Sequence, residues 1–285
     1  MVIPAHGPGP FLAEAVASAL AEEPAEVLVV EDGTEGVDEA ALGGARLLRL
    51  PHVRRSQARN AGVEAAGTPF VAFLDEDDLC LPGRLERQRD VLAAGGELCF
   101  GRVRVEAEDG TPDVEWNTLL DARFARIARE GASFEAILAV PAPIYTSATM
   151  VRRDAFLEAG GFDPAFDANE DLDLYLRLSR RAPLRPCPGE PVSAYRLHGA
   201  NTPSDALYES AVRLADKHLP ETTGTARGLL LERRTDALWG LGRFGEARRT
   251  ALRAAFEQPS LLTHPRFARR LAALALPVRV LEARR

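Results

Sequence analysis

Apolar runs of strand length alternate with helix-patterned segments through the first 75 residues, and this alternation restricts the fold more than any other feature of the chain. Val2-Ile3 opens a strand. Phe11, Leu12, Ala15, Val16, Ala19 and Leu20 then recur at helical spacing and give a helix over 11–20 one apolar side. The β-branched run Val27-Leu28-Val29-Val30 has the length of a buried strand, and Glu31-Asp32-Gly33-Thr34 stops it with turn-forming residues. Arg46 to Leu50 reads as a third strand, Ser56 to Ala66 as a helix and Phe70 to Leu74 as a fourth strand. Strands joined in series through helices pair in parallel, so an α/β fold is expected. In such sheets ligands collect beyond the carboxyl ends of the strands, where both Glu31-Asp32 and Asp75-Glu76-Asp77-Asp78 fall.

Further along, Pro82 to Ala94 reads as a helix and Leu98 to Val105 as a strand, while 109–144 is mixed, its helical spacing broken at Gly131. Thr146 to Val151 is expected as a strand and Arg153 to Gly160 as a short helix. Leu172 to Ser179 is a helix preceded by Asn169 as N-cap, with Glu170 and Asp171 in its first turn. Beyond Pro203 strand patterns stop, and 206–218, 227–241, 244–256 and 265–274 all carry helical spacing. The expected division is a domain over 1–205 and an α-helical C-terminal extension over 206–285. Within the latter, residues 237–247 resemble one helix-turn-helix unit of a tetratricopeptide repeat, with no second copy at that period.

Charge divides the chain at the same place. Residues 206–285 hold 15 Lys and Arg against 8 Asp and Glu, a net of +7, which leaves −14 on residues 1–205 of a chain whose total is −7. The acidic part is unsuited to nucleic acid, whose phosphates require a basic face. The basic helical part suits the first domain, a partner protein or an anionic membrane surface. No run approaches the roughly 18 to 20 apolar residues of a spanning helix, and Met1-Val2-Ile3-Pro4 leads straight into strand sequence without a secretory leader. A cytoplasmic location is therefore expected, with a peripheral place at the inner face of the membrane compatible with the basic helices. Cys80, Cys99 and Cys187 are widely spaced, and neither a zinc site nor a disulfide framework is signalled.

Two clusters can carry chemistry. Phe70-Val71-Ala72-Phe73-Leu74-Asp75-Glu76-Asp77-Asp78 delivers hard oxygen ligands at a strand end, suited to Mg²⁺ or Mn²⁺ with a diphosphate; an exposed acidic turn capping the next helix would look the same. Asn169-Glu170-Asp171-Leu172-Asp173 places carboxylates in a first helical turn, where they serve the helix dipole or act as a general base.

Taken together, the segments of residues 2–205 resemble family 2 glycosyltransferases, mostly inverting enzymes of GT-A fold. The likeness rests on Val2-Ile3-Pro4-Ala5, Val29-Val30-Glu31-Asp32-Gly33-Thr34, Ala58-Arg59-Asn60-Ala61-Gly62, Phe73-Leu74-Asp75-Glu76-Asp77-Asp78, Gly160-Gly161-Phe162-Asp163 and Glu170-Asp171-Leu172-Asp173-Leu174, in family order. The resemblance implies a Rossmann-like, mixed but mainly parallel sheet flanked by helices. It also implies a metal-dependent transfer of sugar from a nucleotide-diphosphate sugar, leaning to UDP, onto an acceptor hydroxyl with inversion, as in polysaccharide biosynthesis. Saccharide, lipid-linked and protein acceptors all remain open.

Carried over by position, Pro4, His6 and Asp32 surround the base, with Asp32 accepting from a uracil or thymine N–H. Asp75 approaches the ribose or a metal-bound water, and Asp77 binds the metal. The same resemblance implies that Asp171 would be the base, that Glu170 would orient the acceptor or the loop, and that Arg59 would face the diphosphate, a surface ion pair being the other reading of Arg59. Tyr195-Arg196-Leu197-His198-Gly199-Ala200-Asn201 resembles the segment that closes the catalytic domain in relatives, and His198 is a candidate metal ligand or a packed loop histidine. The chain departs from the family pattern at Glu31, usually aspartate, and in the loop His6-Gly7-Pro8-Gly9-Pro10, which puts base selectivity in doubt. Two other readings are a non-catalytic sugar-nucleotide binder and a sugar nucleotidyltransferase. The latter ordinarily carries a basic Gly-rich loop after the first strand, and the loop here has glycines but no Lys or Arg.

Overall fold

Buried β-branched residues set the first layer of the fold. In the computed structural model, which describes residues 1–33, 36–140, 144–198 and 204–276, β1 (Val2–Ala5), β2 (Leu28–Glu31) and β3 (Arg46–Arg49) pair in parallel in the order β1-β2-β3. Helix α1 (Leu12–Leu20) joins β1 to β2 and buries Leu12, Ala15, Val16 and Ala19 in one core with Ile3, Val29 and Leu74. Helix α2 (Arg55–Ala65) follows β3 and leads to β4 (Phe70–Ala72). A parallel bridge from Val2 to Phe73, just past β4, continues the first sheet into the second.

After the acidic turn come β5 (Leu79–Cys80), α3 (Arg84–Ala93), β6 (Leu98–Phe100) and β7 (Val103–Ala107). Helix α4 (Val114–Glu130) is capped by the Asp113 carboxylate on the Trp116 N–H and ends at Gly131, whose φ of 80° suits glycine; α5 (Phe134–Ala139) follows. Then come β8 (Thr149–Arg152), α6 (Arg153–Glu158), α7 (Glu170–Ser179), β9 (Arg185–Pro186) and β10 (Ser193–Leu197). The second sheet runs β4-β8-β6-β9, with antiparallel pairing to β8 and a parallel β6-β9 pair; the third runs β5-β10-β7. A mixed sheet system flanked by helices is thus what the sequence leads one to expect.

Two local readings need correction. The single strand expected over 98–105 is two strands in different sheets, because the chain turns at Gly101, where a Cβ would lie 2.4 Å from Cγ2 of Val192. The strand expected to start at Thr146 starts at Thr149, since Thr146–Ala148 form a 3-10 turn.

By contacts the chain divides into two compact units, Met1–Ala165 with Glu170–Asn201, and Phe166–Asn169 with Thr202–Arg285. The second holds α8 (Ser204–His218), α9 (Gly224–Gly240), α10 (Phe244–Glu257) and α11 (Pro265–Leu274). Leu214, Leu230, Leu238, Ala247, Ala251, Phe267 and Leu274 are buried there. Among the described residues no helix is long and apolar enough to cross a membrane.

Candidate active site

Buried Arg84 fixes the strand end that carries the acids. One Nη donates to the carbonyl oxygens of Phe73 (2.8 Å) and Thr149 (3.0 Å), and Nε donates to Gln88 Oε1 (3.0 Å). The backbone on both sides of the β4–β8 pair is thereby held where Asp75 and Thr146-Ser147 begin. Ser147 Oγ in turn receives the Asp75 N–H at 3.0 Å.

Four consecutive acids follow. Carboxylate oxygens of Asp75, Asp77 and Asp78 lie within 4.8 Å of one another. Asp78 is buried; its Oδ1 accepts the Arg196 N–H at 3.1 Å while Oδ2 has no hydrogen-bond partner. Burial, then the charges of Asp75 and Asp77, push the Asp78 carboxyl well above the usual carboxylate range. Glu76 is raised to about 7, mainly by burial, and both its oxygens accept the His6 N–H at 3.1 and 3.2 Å. Crowded hard oxygens with one buried oxygen left over are the donor set a divalent cation fits, since its charge would offset their repulsion. His198 Nε2 stands 2.7 Å from Asp77 Oδ2, so the candidate imidazole ligand reaches the same carboxylate.

The second acidic cluster reaches the first through one guanidinium. Arg59, on α2 and 3% exposed, places Nη1 2.8 Å from Glu170 Oε1 and Nη2 2.5 Å from Asp75 Oδ1. Burial opposes its charge, but the two carboxylates hold its pKa above the ordinary arginine value. Its neighbour Asn60 grips the Phe162 backbone at both ends, donating to O and accepting from N, each at 2.8 Å. Asp171 accepts the Leu172 N–H at 2.7 Å and the Thr146 hydroxyl at 3.3 Å. Desolvation, and secondarily the charge of Glu170, raise Asp171 to about 6. A carboxylate so poised is half ionised near pH 6, mostly ionised at neutrality, and can take a proton.

At the other edge, His6 Nδ1 lies 3.0 Å from both oxygens of Asp32, and Pro4 sits beside Val30 in the β1–β2 register. Glu31 is buried, where it accepts the Val37 N–H at 2.9 Å and pairs with Arg49 at 3.2 Å. Its extra methylene relative to aspartate thus serves the loop.

Every candidate residue of the sequence reading lies at one of these three linked places: Pro4, His6 and Asp32; Asp75, Asp77 and His198; Arg59, Glu170 and Asp171. Sequence reasoning missed Thr146 and Ser147, whose hydroxyls touch Asp171 and the Asp75 backbone, and also the orphaned oxygen of Asp78. A polar pair at the head of an apolar strand was the signal available. It missed His52 as well, whose ring centroid lies 6.5 Å from that of His6.

Comparison with known proteins bears on the family and the fold. The family model described as "Glycosyl transferase family 2" matches residues 1–158. The succinoglycan biosynthesis protein ExoU of Rhizobium meliloti is 37% identical over 94 residues, covering 30% of this chain and 28% of that protein. The amylovoran biosynthesis glycosyltransferase AmsE of Erwinia amylovora is 26% identical over 161 residues, 54% of this chain and 57% of the relative. The matches thus span between about a quarter and three fifths of these relatives' lengths. Among solved structures, S. aureus TarS 1-349 in complex with UDP-GlcNAc superposes with a TM-score of 0.60 over 98% of this chain and 82% of that one; at 14% identity this is a likeness of fold. Because the family model covers 158 of 285 residues, including β1, α2 and the acidic turn, the chain belongs to glycosyl transferase family 2.

Proposed function

We propose that this chain moves a sugar from a UDP-linked donor to an acceptor hydroxyl with inversion, using Asp171 as base. The observation that carries the reading is the Arg59 bridge: it brings the donor-side Asp75 and the acceptor-side Glu170, next to Asp171, onto one guanidinium. In this reading Pro4, His6 and Asp32 receive the base, Asp32 accepting from the uracil N–H. Asp75 addresses the ribose, and Glu170 orients the acceptor side. Asp77 and Asp75, with His198, would hold Mn²⁺ or Mg²⁺, which supplies positive charge against the departing diphosphate.

The proton balance is simple. The acceptor O–H gives its proton to the Asp171 carboxylate as its oxygen bonds to the anomeric carbon from the face opposite the diphosphate. The carbon–oxygen bond to the diphosphate breaks, and its electron pair leaves with UDP. The UDP-GlcNAc complex of the TarS structure supports the donor class, and the succinoglycan and amylovoran relatives support a place in polysaccharide biosynthesis. The acceptor hydroxyl belongs to a saccharide, a lipid-linked saccharide or a protein. The helical extension is the part suited to peripheral contact with a membrane or a partner protein, at the cytoplasmic face.

The test is donor hydrolysis and transfer with purified protein across nucleotide sugars, with and without Mn²⁺. Turnover of a UDP-sugar that needs the cation and vanishes in Asp171→Asn, while UDP still raises the melting temperature, is the expected result. UDP binding without turnover by the wild type would make the chain a sugar-nucleotide binder. Formation of a nucleotide sugar from a nucleoside triphosphate and a sugar 1-phosphate, with release of pyrophosphate, would make it a nucleotidyltransferase.

A further inference from the structure

The outward side of α10 combines exposed apolar side chains with exposed arginines. Arg249, Leu252, Arg253 and Phe256 follow one another at helical spacing and share one side. Phe256 is 87% exposed, Leu252 57%, and Leu262 on the succeeding 3-10 turn Pro259–Thr263 47%. That turn packs on both α10 and α11. On α10 Arg253 is tied to Glu257 at 2.6 Å, whereas Arg249, and Arg266 in the first turn of α11, enter no hydrogen bond or salt bridge among the described residues and feel only the longer-range charges of Glu246 and Glu232 respectively. Arg234, Arg249, Arg253 and Thr250 also line a 320 Å³ cleft beside the tip, with Asp216 and Glu246.

The size of the patch decides between partners. A stable protein interface buries roughly 800 Å² on each side, more than these three partly exposed side chains supply. Insertion at a bilayer surface needs only a few apolar groups at the acyl boundary and cations at phosphate level, and anionic lipid adds a favourable term for each arginine. We propose that the α10 tip docks this protein on an anionic membrane, with Leu252, Phe256 and Leu262 below the headgroups and Arg249 and Arg266 at the lipid phosphates. The proposal narrows the partner left open by the transfer reading, and it is tested without relying on transfer.

Flotation of the full chain with phosphatidylcholine vesicles, with and without phosphatidylglycerol, gives the readout. Binding only to the anionic vesicles, weakened by salt, is expected. At least about a tenfold loss is expected in both Leu252→Ser/Phe256→Ser and Arg249→Glu/Arg266→Glu, with melting temperature and donor hydrolysis unchanged. No binding to anionic vesicles, or undiminished binding by both double variants, overturns the proposal. So does a wild-type dimer in solution that Leu252→Ser/Phe256→Ser turns into a monomer. Loss of donor hydrolysis in the wild type, with flotation intact, would sink only the transfer reading.

Discussion

Arg59 has two carboxylates to satisfy and almost no water to share, so its removal reaches beyond one contact. Arg59→Ala would leave the buried Glu170, beside Asp171, with only the half-exposed Arg55 at 4.0 Å and would free Asp75 from its bridge. Breaking one side of a buried pair costs about 3–5 kcal/mol, and a misplacement near 1 Å costs about a hundredfold in rate. Both a lower melting temperature and a turnover loss of about that size are expected. Arg59→Lys keeps the charge without the fork and is expected to regain more stability than turnover, which calorimetry and initial rates would separate. Asp171 gives a pH prediction. Its carboxyl, raised to about 6 chiefly by desolvation, is useful only when ionised, so kcat/KM rises with pH through about 6, levels above 7, and falls about tenfold per unit below 6. A flat profile from pH 5 to 8 would remove Asp171 from the role of base.

At the scale of elements, α2 lies so close on the sheet that a Cβ at Gly62 would stand 2.4 Å from Val2 Cγ1 and 3.1 Å from Val30 Cγ2. Alanine would improve helix propensity by about 1 kcal/mol, but overpacking of this kind costs typically 1–3 kcal/mol. Gly62→Ala is therefore expected to lower the melting temperature, and an increase would mean that β1 and α2 can part freely. The first four strands and α1 and α2 were legible in the sequence to within about two residues, because one-sided burial writes a period into the chain. The break at Gly101 was not legible, since its cause is Val192, remote in sequence. Nor was the 3-10 turn at Thr146–Ala148, whose apolar and β-branched neighbours read as strand. The candidate acids were legible as clusters, whereas their linkage through Arg59 and the Thr146-Ser147 hydroxyls needed the fold.

Across the whole molecule, the change from strand to helix patterns and from acidic to basic charge marked the C-terminal helices before any coordinates. The sequence held no sign that Phe166–Asn169 gathers with them. In that unit the Ala168 N–H donates to Ser210 Oγ and Asn169 Nδ2 to the Leu207 carbonyl, each at 3.2 Å, and Lys217 lies over the Phe166 ring at 5.3 Å. Asn169 takes a φ of 58°, and the very next residues are Glu170 and Asp171. Removing 202–285 is expected to leave nucleotide binding, followed by UDP titration, less affected than turnover. Equal loss of both would mean that the sheet unit cannot stand without its tail. Phe166–Asn169, which lead through Glu170 to the proposed base, are thus tethered to sequence that enters the chain more than thirty positions later. A helical tail grafted from a relative would bring its own setting of that tether, so this part of the protein is not an interchangeable cassette.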